Sequence, residues 1–193
     1  VGATGTYVFS GGTIKTPTLN IGAGTATFNW TGGTLKTNKV NFNLHNINGT
    51  LEPGQSPGIL QITGNYTQSS ASTLKIELGG TTAGGLVTQH DALRVTGNLT
   101  LDGTLTVVTY NNYTFSQDDT FDILDWDGTL SGTFSTLNLP PLISGFLWNT
   151  ANIYITGEIV VSLNSPLDSD SDGTLNIDDA FPFDNTRITA DIT

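Results

Sequence analysis

A short motif repeats in the first third of the chain. Residues 11–16 read GGTIKT, and 21 residues later residues 32–37 read GGTLKT. An aromatic residue precedes each copy (Phe9 and Phe28), and an alternating apolar segment follows it. A period in the twenties, built from short strands and glycine turns, is typical of a solenoid in which each repeat forms one coil. A duplicated β-hairpin would produce a similar repeat, so the competing architecture is a β-sandwich or jelly roll.

Beyond residue 48 the period loosens, but short segments with alternating apolar side chains continue. Examples are residues 59–64, 73–78 and 99–107, and turn-forming residues such as Gly and Asn separate them. Alternation with a period of two predicts β-strands with one buried face. The 23 glycines and the many threonines agree with this, because Gly permits tight turns and Thr fits a pleated surface. The sequence therefore predicts an all-β chain.

A series of related motifs runs through residues 50–160. It includes SPGILQITGNY at 56–66, DALRVTG at 91–97 and LDGTL at 101–105, and continues in aromatic- and glycine-containing segments as far as residue 157. In its order of motifs this region resembles the repeats of autotransporter-type bacterial β-helical surface proteins. The resemblance implies a right-handed parallel β-solenoid that is exported to the cell surface as a stalk or adhesive shaft, with no catalytic chemistry. We assign residues 1–163 to this solenoid.

The sequence changes character after Ser162, where Pro166 is followed by a dense acidic run. If Asp168 is position 1, oxygen-bearing ligands fall at positions 1, 3, 5, 7, 9 and 12 and Gly173 falls at position 6, which is the spacing of an EF-hand calcium loop. A ligand set made only of oxygen atoms favours Ca²⁺ over zinc or copper. The predicted Ca²⁺ ligands are Asp168, Asp170, Asp172, the carbonyl of Thr174, Asn176 and Asp179.

The residues around this loop are not those of an EF-hand. A strand-like segment precedes it, and Phe181-Pro182 follows at the point where an exiting helix would begin. Residues 168–184, with DAFP at 179–182, resemble a thrombospondin type 3 repeat, although Asn176 stands where that family usually has Asp. The resemblance implies a small calcium-binding module. We assign residues 164–193 to this loop and the strand-like tail that follows it.

Charge and composition exclude several classes of function. Six basic and 17 acidic residues give a net charge of −11, which disfavours nucleic-acid binding. The chain has no Cys, so it forms no disulfide and no zinc–thiolate site. No segment is long and apolar enough to span a bilayer. The start has neither the basic nor the apolar part of a leader, so we expect a processed or excised extracellular chain.

Residues capable of catalysis are few. His90 and Asp91 are adjacent, but neighbouring strand residues face opposite sides, so we expect no catalytic dyad. The acids before residue 118 are scattered along the sequence: Glu52, Glu77, Asp91 and Asp102. We therefore predict that the protein is not an enzyme, and among the alternatives considered a polysaccharide lyase or hydrolase ranks last.

Two further groups of residues are weak candidates for binding. Five aspartates between residues 118 and 127 would suit a second cation or a glycan, but this pattern is more typical of solvated turns. Exposed aromatic rings would suit sugar stacking, but rings in such strands more often pack inside; the rings concerned are Trp30, Tyr66, Tyr110, Tyr113, Trp126, Trp148 and Tyr154.

These observations predict a secreted structural protein of the cell surface or extracellular matrix. We expect it to self-assemble into filaments, because residues 188–193 alternate apolar and polar side chains and would suit a strand donated to a neighbouring copy. The expected partners are copies of the same chain, joined head to tail through residues 187–193 with calcium stabilising the subunits. The alternative function is an adhesin or glycan-binding surface module.

Overall fold

A computed structural model describes residues 4–22 and 25–164. These residues form sixteen β-strands joined by turns and loops, with no helix. The strands are β1 Thr4–Leu19, β2 Thr25–Val40, β3 Leu44–Asn46, β4 Thr50–Pro53, β5 Ile59–Ile62, β6 Tyr66–Gln68, β7 Thr73–Leu78, β8 Ala92–Val95, β9 Leu99–Leu101, β10 Thr104–Thr109, β11 Thr120–Asp122, β12 Leu124–Trp126, β13 Leu130–Gly132, β14 Thr136–Asn138, β15 Phe146–Asn149 and β16 Glu158–Leu163.

Thirteen of these strands belong to one parallel sheet that winds into a solenoid. The long strands β1 and β2 each contribute to all three sides of the coil. Above β2 the sides separate into three stacks of parallel strands: β4, β7, β10 and β14 in the first, β3, β6, β9 and β13 in the second, and β5, β8 and β12 in the third. The predicted parallel β-solenoid is confirmed, and a sandwich or jelly roll is excluded because its sheets would be antiparallel.

The repeat seen in the sequence is the register between the first two coils. Thr13 pairs with Thr34 and Ile14 with Leu35 across β1 and β2. Later coils vary in length, since Thr34 pairs with Thr50 only 16 residues on, whereas Tyr66 pairs with Leu99. Residues 79–91 and 110–119 are loops inserted between strands of one coil. These insertions hide the period after residue 48 without interrupting the stacking.

Strand alternation places one column of side chains inside the solenoid and the next outside. In the first stack, six threonines follow one another in register from coil to coil: Thr13, Thr34, Thr50, Thr73, Thr104 and Thr136. The neighbouring column points inward and forms part of the core: Ile14, Leu35, Leu51, Leu74, Leu105 and Leu137. Burial of such columns is the main source of stability in this fold.

A cap covers the C-terminal end of the solenoid. Strands β11, β16 and β15 form a separate three-stranded antiparallel sheet. The carbonyl of Gly157 accepts hydrogen bonds from the N–H groups of Ile123 and Leu124, and the Tyr154 hydroxyl accepts one from Phe134. Ile153 lies beneath this cap with no exposed surface. The cap thus covers the core where a further coil would otherwise pack.

Candidate functional site

The coil formed by β1 lies at the other end of the solenoid, and no further strand in the described part of the chain covers its core side. Ile14 and Leu19 are only half-buried, although their partners one coil further on, Leu35 and Val40, have no exposed surface. Tyr7 is 58% exposed. Strand pairing explains the difference, because β1 pairs with β2 on one side and with no other strand among the described residues.

A groove of about 610 Å³ opens beneath this coil. Apolar side chains form most of its wall, chiefly Tyr7, Ile14, Leu19, Phe28 and Phe42. The rings of Tyr7 and Phe28 stack with their centroids 5.8 Å apart, and Phe42 meets Phe28 edge-on at 6.0 Å. An unpaired strand edge beside an apolar groove is a site that accepts another strand.

Charge is distributed unequally between the two ends of the chain. Residues 1–51 contain three lysines and no acidic residue, whereas residues 165–193 contain seven aspartates and one arginine. Lys36 is already paired with Glu52 at 2.5 Å, but Lys15, on the β1 edge, is exposed and has no ion-pair partner among the described residues. The open coil is therefore a positively charged end in a strongly acidic protein.

Glu52, Glu77 and Asp91 are far apart in the sequence, but the structure brings them together in neighbouring coils. The expectation that these acids form no cluster is therefore wrong for these three. Lys75 lies 3.5 Å from Glu52 and 3.7 Å from Glu77, and all three acids are buried. Lys36 completes the network from the coil below. Sequence reasoning missed this cluster because residues 79–91 form a loop that returns Asp91 to Glu77.

The carboxylate of Asp91 joins two coils. Its Oδ1 accepts the N–H of Gly58 at 2.5 Å, and its Oδ2 accepts the N–H of Glu77 at 2.9 Å. Burial raises the pKa of Asp91 to about 8, against the opposing effect of the two N–H donors. With 1% of its surface exposed and both oxygens occupied, Asp91 cannot reach a polymeric substrate. The geometry of this cluster fits structural support rather than catalysis.

The imidazole of His90 makes no hydrogen bond to the carboxylate of Asp91, whose oxygens accept from Gly58 and Glu77. Its Nδ1 lies 2.9 Å from the backbone oxygen of Asp91, and its ring meets Phe121 edge-on at a centroid distance of 5.6 Å. Burial lowers the pKa of His90, which favours the neutral ring. The imidazole is thus a packed side chain of the loop that ends at Asp91.

The aspartates between residues 118 and 127 have different contacts and do not act as one group. Asp119 accepts hydrogen bonds from the Tyr113 hydroxyl and the Ser116 N–H, while Asp125 lies opposite Arg94 in the third stack. Asp118 takes a left-handed turn conformation. Within residues 4–22 and 25–164, no group of three or more His, Asp or Glu side chains is arranged to hold a metal ion.

The aromatic residues considered for sugar stacking do not form an exposed row. Trp30 and Tyr66 have no exposed surface. Tyr113 and Trp148 pack with Phe115 and Phe121 into one cluster near the cap, and Trp126 packs against the core. These rings stabilise the solenoid and its capped end.

The predicted calcium ligands at 168–179 and the tail at 187–193 lie outside the described residues. Strand β16 ends at Leu163, and the boundary assigned near residue 164 stays a prediction, because the second of the two assigned units falls almost entirely outside the described residues. The part of the chain that the structure describes contains no helix long and apolar enough to cross a membrane.

Comparison with known protein families, with curated proteins and with solved structures found no match for this chain. The resemblances to autotransporter-type repeats and to a thrombospondin type 3 repeat therefore rest on the sequence motifs alone. Over residues 4–22 and 25–164 the fold is an all-β parallel solenoid with a cap at one end and, at the other, a β1 coil that no further described strand covers.

Proposed function

We propose that this chain is a secreted structural subunit that assembles head to tail into extracellular filaments. The observation that carries the proposal is the coil of β1, where an apolar groove lies beside a strand edge that has no partner among the described residues. Natural solenoids end in polar caps, and an open end invites association. The cap at the opposite end differs completely in structure, so the two ends are not interchangeable.

A contact between unlike ends propagates. When a surface at one end of a subunit binds a different surface at the other end, each bound copy leaves a new free end, and the array grows as a filament unless it closes into a ring. The capped end offers apolar contact area, since Ile143 and Ile155 are 64% and 71% exposed. The groove around Ile14 and Phe28 supplies the apolar surface on the other side.

Electrostatics favour the same polarity. The β1 edge carries the exposed Lys15, no acid precedes Glu52, and the last 29 residues are strongly acidic. Opposite charge at the two ends steers like copies into head-to-tail rather than head-to-head encounters. Two acidic ends brought together would repel each other.

Calcium binding is the second part of the proposal. Residues 168–179 hold the ligand pattern of a calcium loop, and four carboxylates at this spacing repel one another unless a cation neutralises them. Millimolar calcium outside cells would saturate a site with a dissociation constant on the order of 10⁻⁴ M. The ion would then stiffen the segment that follows the cap. No catalytic step is part of this proposed function.

Sedimentation and negative-stain microscopy of the 1–193 chain in calcium test the assembly. We expect linear particles whose length grows with protein concentration and shrinks as salt is raised, because surface charge attraction is screened by salt. Lys15→Glu should weaken assembly, whereas Lys39→Glu, on the third side of the next coil, is the matched control. A chain that stays monomeric at every concentration and calcium level contradicts the proposal.

A further inference from the structure

The groove beneath β1 lies where one more strand would stack if the solenoid continued. Each inner strand of the solenoid pairs on both sides, but β1 has hydrogen-bonding groups free on one edge among the described residues. The side chains that a further strand would cover, Ile14, Thr16 and Leu19, remain half-buried. A strand added here must therefore carry apolar residues at alternate positions, with polar residues between them.

One segment of the chain outside the described residues has this pattern. Residues 187–193 read RITADIT, which places Ile188, Ala190 and Ile192 on one face of a strand and polar residues on the other. Asp191 lies in the polar set. Its charge is opposite to that of Lys15, the exposed cation on the β1 edge that has no ion-pair partner among the described residues.

The position at which this segment leaves the solenoid favours a neighbouring copy as its acceptor. Asn164, the last described residue, donates its N–H to Gly145 within the cap. The groove lies at the opposite end of the same molecule, about 24 Å away if six coils are stacked at 4.8 Å. In a head-to-tail array, however, the cap of one copy faces the β1 coil of the next, so residues 165–193 begin at the interface.

We infer that residues 187–193 of one copy add to β1 of the next copy as a donated parallel strand. Ala190 then lies opposite Ile14 and Ile192 opposite Thr16, so that Asp191 lies beside Lys15. Cross-strand pairs of opposite charge stabilise a sheet and fix its register. This inference rests on the proposed head-to-tail assembly and names the contact that forms it.

The chain is long enough for a competing arrangement. Twenty-nine residues follow Asn164 and span roughly 95 Å when fully extended, so the tail of a copy can also reach its own groove. A tail folded back in this way would close the open end and prevent assembly. The experiment must therefore separate donation to a neighbour from insertion into the same molecule.

Strand alternation gives a matched pair of variants in the 1–193 chain. Ile188→Asp with Ile192→Asp places charge on the face that enters the groove, and we expect the concentration needed for assembly to rise at least about tenfold. Thr189→Asp with Thr193→Asp adds the same charge to the opposite face and should leave assembly nearly unchanged. Equal effects of the two double variants would overturn the donated strand.

Charge reversal tests the register. Lys15→Glu should weaken assembly, and Lys15→Glu combined with Asp191→Lys should restore it. If assembly is weakened by the first change and not restored by the second, the proposed register is wrong. Filaments that persist after deletion of residues 187–193 would overturn the inference while leaving the proposed function intact, whereas a wild-type chain that never assembles removes both.

Cross-linking identifies the acceptor directly, because the chain has no native Cys. Mixing an Ile192→Cys chain with a Thr16→Cys chain, at positions that lie opposite each other in this register, should yield a disulfide-linked dimer under mild oxidation. A mixture of Ile192→Cys with Thr136→Cys, at the outer threonine column near the cap, is the control and should yield none above background. If the Ile192→Cys/Thr16→Cys double variant links only within one chain, the tail occupies its own groove and the inference is overturned.

Discussion

The side-chain Oδ1 of Asn65 accepts the backbone N–H of Asn98, 33 residues further along the chain, at 2.9 Å. The same contact recurs on both sides of this pair. Asn43 Oδ1 accepts the N–H of Asn65 at 2.8 Å, and Asn98 Oδ1 accepts the N–H of Thr129 at 3.0 Å. Four successive coils are thus connected at one corner by asparagine side chains.

We call Asn43, Asn65 and Asn98 the asparagine ladder, and removing one of these side chains should destabilise the solenoid. Asn65→Ala leaves the N–H of Asn98 to water, and since the site is exposed we expect a loss of about 0.5–1.5 kcal/mol in the free energy of unfolding. Urea denaturation measures it. Asn48→Ala is the control, because Asn48 is exposed and makes no side-chain hydrogen bond among the described residues. Equal losses in the two variants would contradict a specific role for the ladder.

Two of the three asparagines, Asn65 and Asn98, directly follow a glycine that packs closely against the coil below. A Cβ at Gly97 would collide with Asn65 Oδ1 and lie 2.7 Å from the Gly64 oxygen, so Gly97→Ala must displace the coil below. We expect a loss of about 1–3 kcal/mol in the free energy of unfolding. Gly85→Ala should be close to neutral, because its Cβ would lie 3.8 Å from the Pro57 oxygen, an ordinary van der Waals contact. A neutral Gly97→Ala in thermal or urea unfolding would show that the corner adapts freely.

The buried carboxyl of Asp91 should make stability depend on pH in a defined direction. Its pKa is about 8 in the folded protein and near 3.8 in the unfolded chain, so the folded state binds the proton more tightly. Its contribution is fully present below about pH 4 and is lost as pH rises through about 8.

Asp91→Asn removes this titration, because an amide stays neutral at every pH. The difference in unfolding free energy between wild type and Asp91→Asn should fall steadily from pH 4 to pH 8. Urea melts of both proteins at each pH measure it, with Asp102→Asn at an exposed carboxyl as the comparison. A difference that does not change with pH would contradict the raised pKa.

Calcium should bind the segment at 168–179 with a dissociation constant on the order of 10⁻⁴–10⁻³ M. Calorimetric titration of the 1–193 chain should give one binding event, and Asp170→Ala or Asp172→Ala should abolish its heat. Asp127→Ala removes an exposed carboxylate elsewhere and should leave the titration unchanged. Identical heats from wild type and the Asp170 variant would exclude the assigned ligands.

The stacking of coils could be predicted because it depends on local pattern. Residues 13–16 of the first motif pair in order with residues 34–37 of the second. The inward position of residues such as Leu74 and Leu105 follows from strand alternation. The antiparallel cap could not be predicted in this way. Strands β15 and β16 alternate like the others, and alternation is the same for parallel and antiparallel pairing.

The candidate site was hidden in the sequence for a related reason. Ile14 and Leu35 have nearly the same sequence context. Leu35 is fully buried because β1 covers its coil, whereas no described strand lies beyond β1, and Ile14 is only half-buried. The unequal charge was visible, since no acid precedes Glu52. The buried cluster around Asp91 depends on a loop closure between Glu77 and Asp91, which alternation does not encode.

The stacking of strands across the solenoid axis also determines how the molecule would respond to mechanical force. Hydrogen bonds between coils run along that axis. A force applied to the two ends would therefore break the hydrogen bonds of one coil before those of the next. The β1 coil, which pairs only with β2 among the described residues, would peel away first. Because successive coils differ in length, from the 16-residue step at Thr34 to the 33-residue step at Asn65, the chain would lengthen in unequal increments under load.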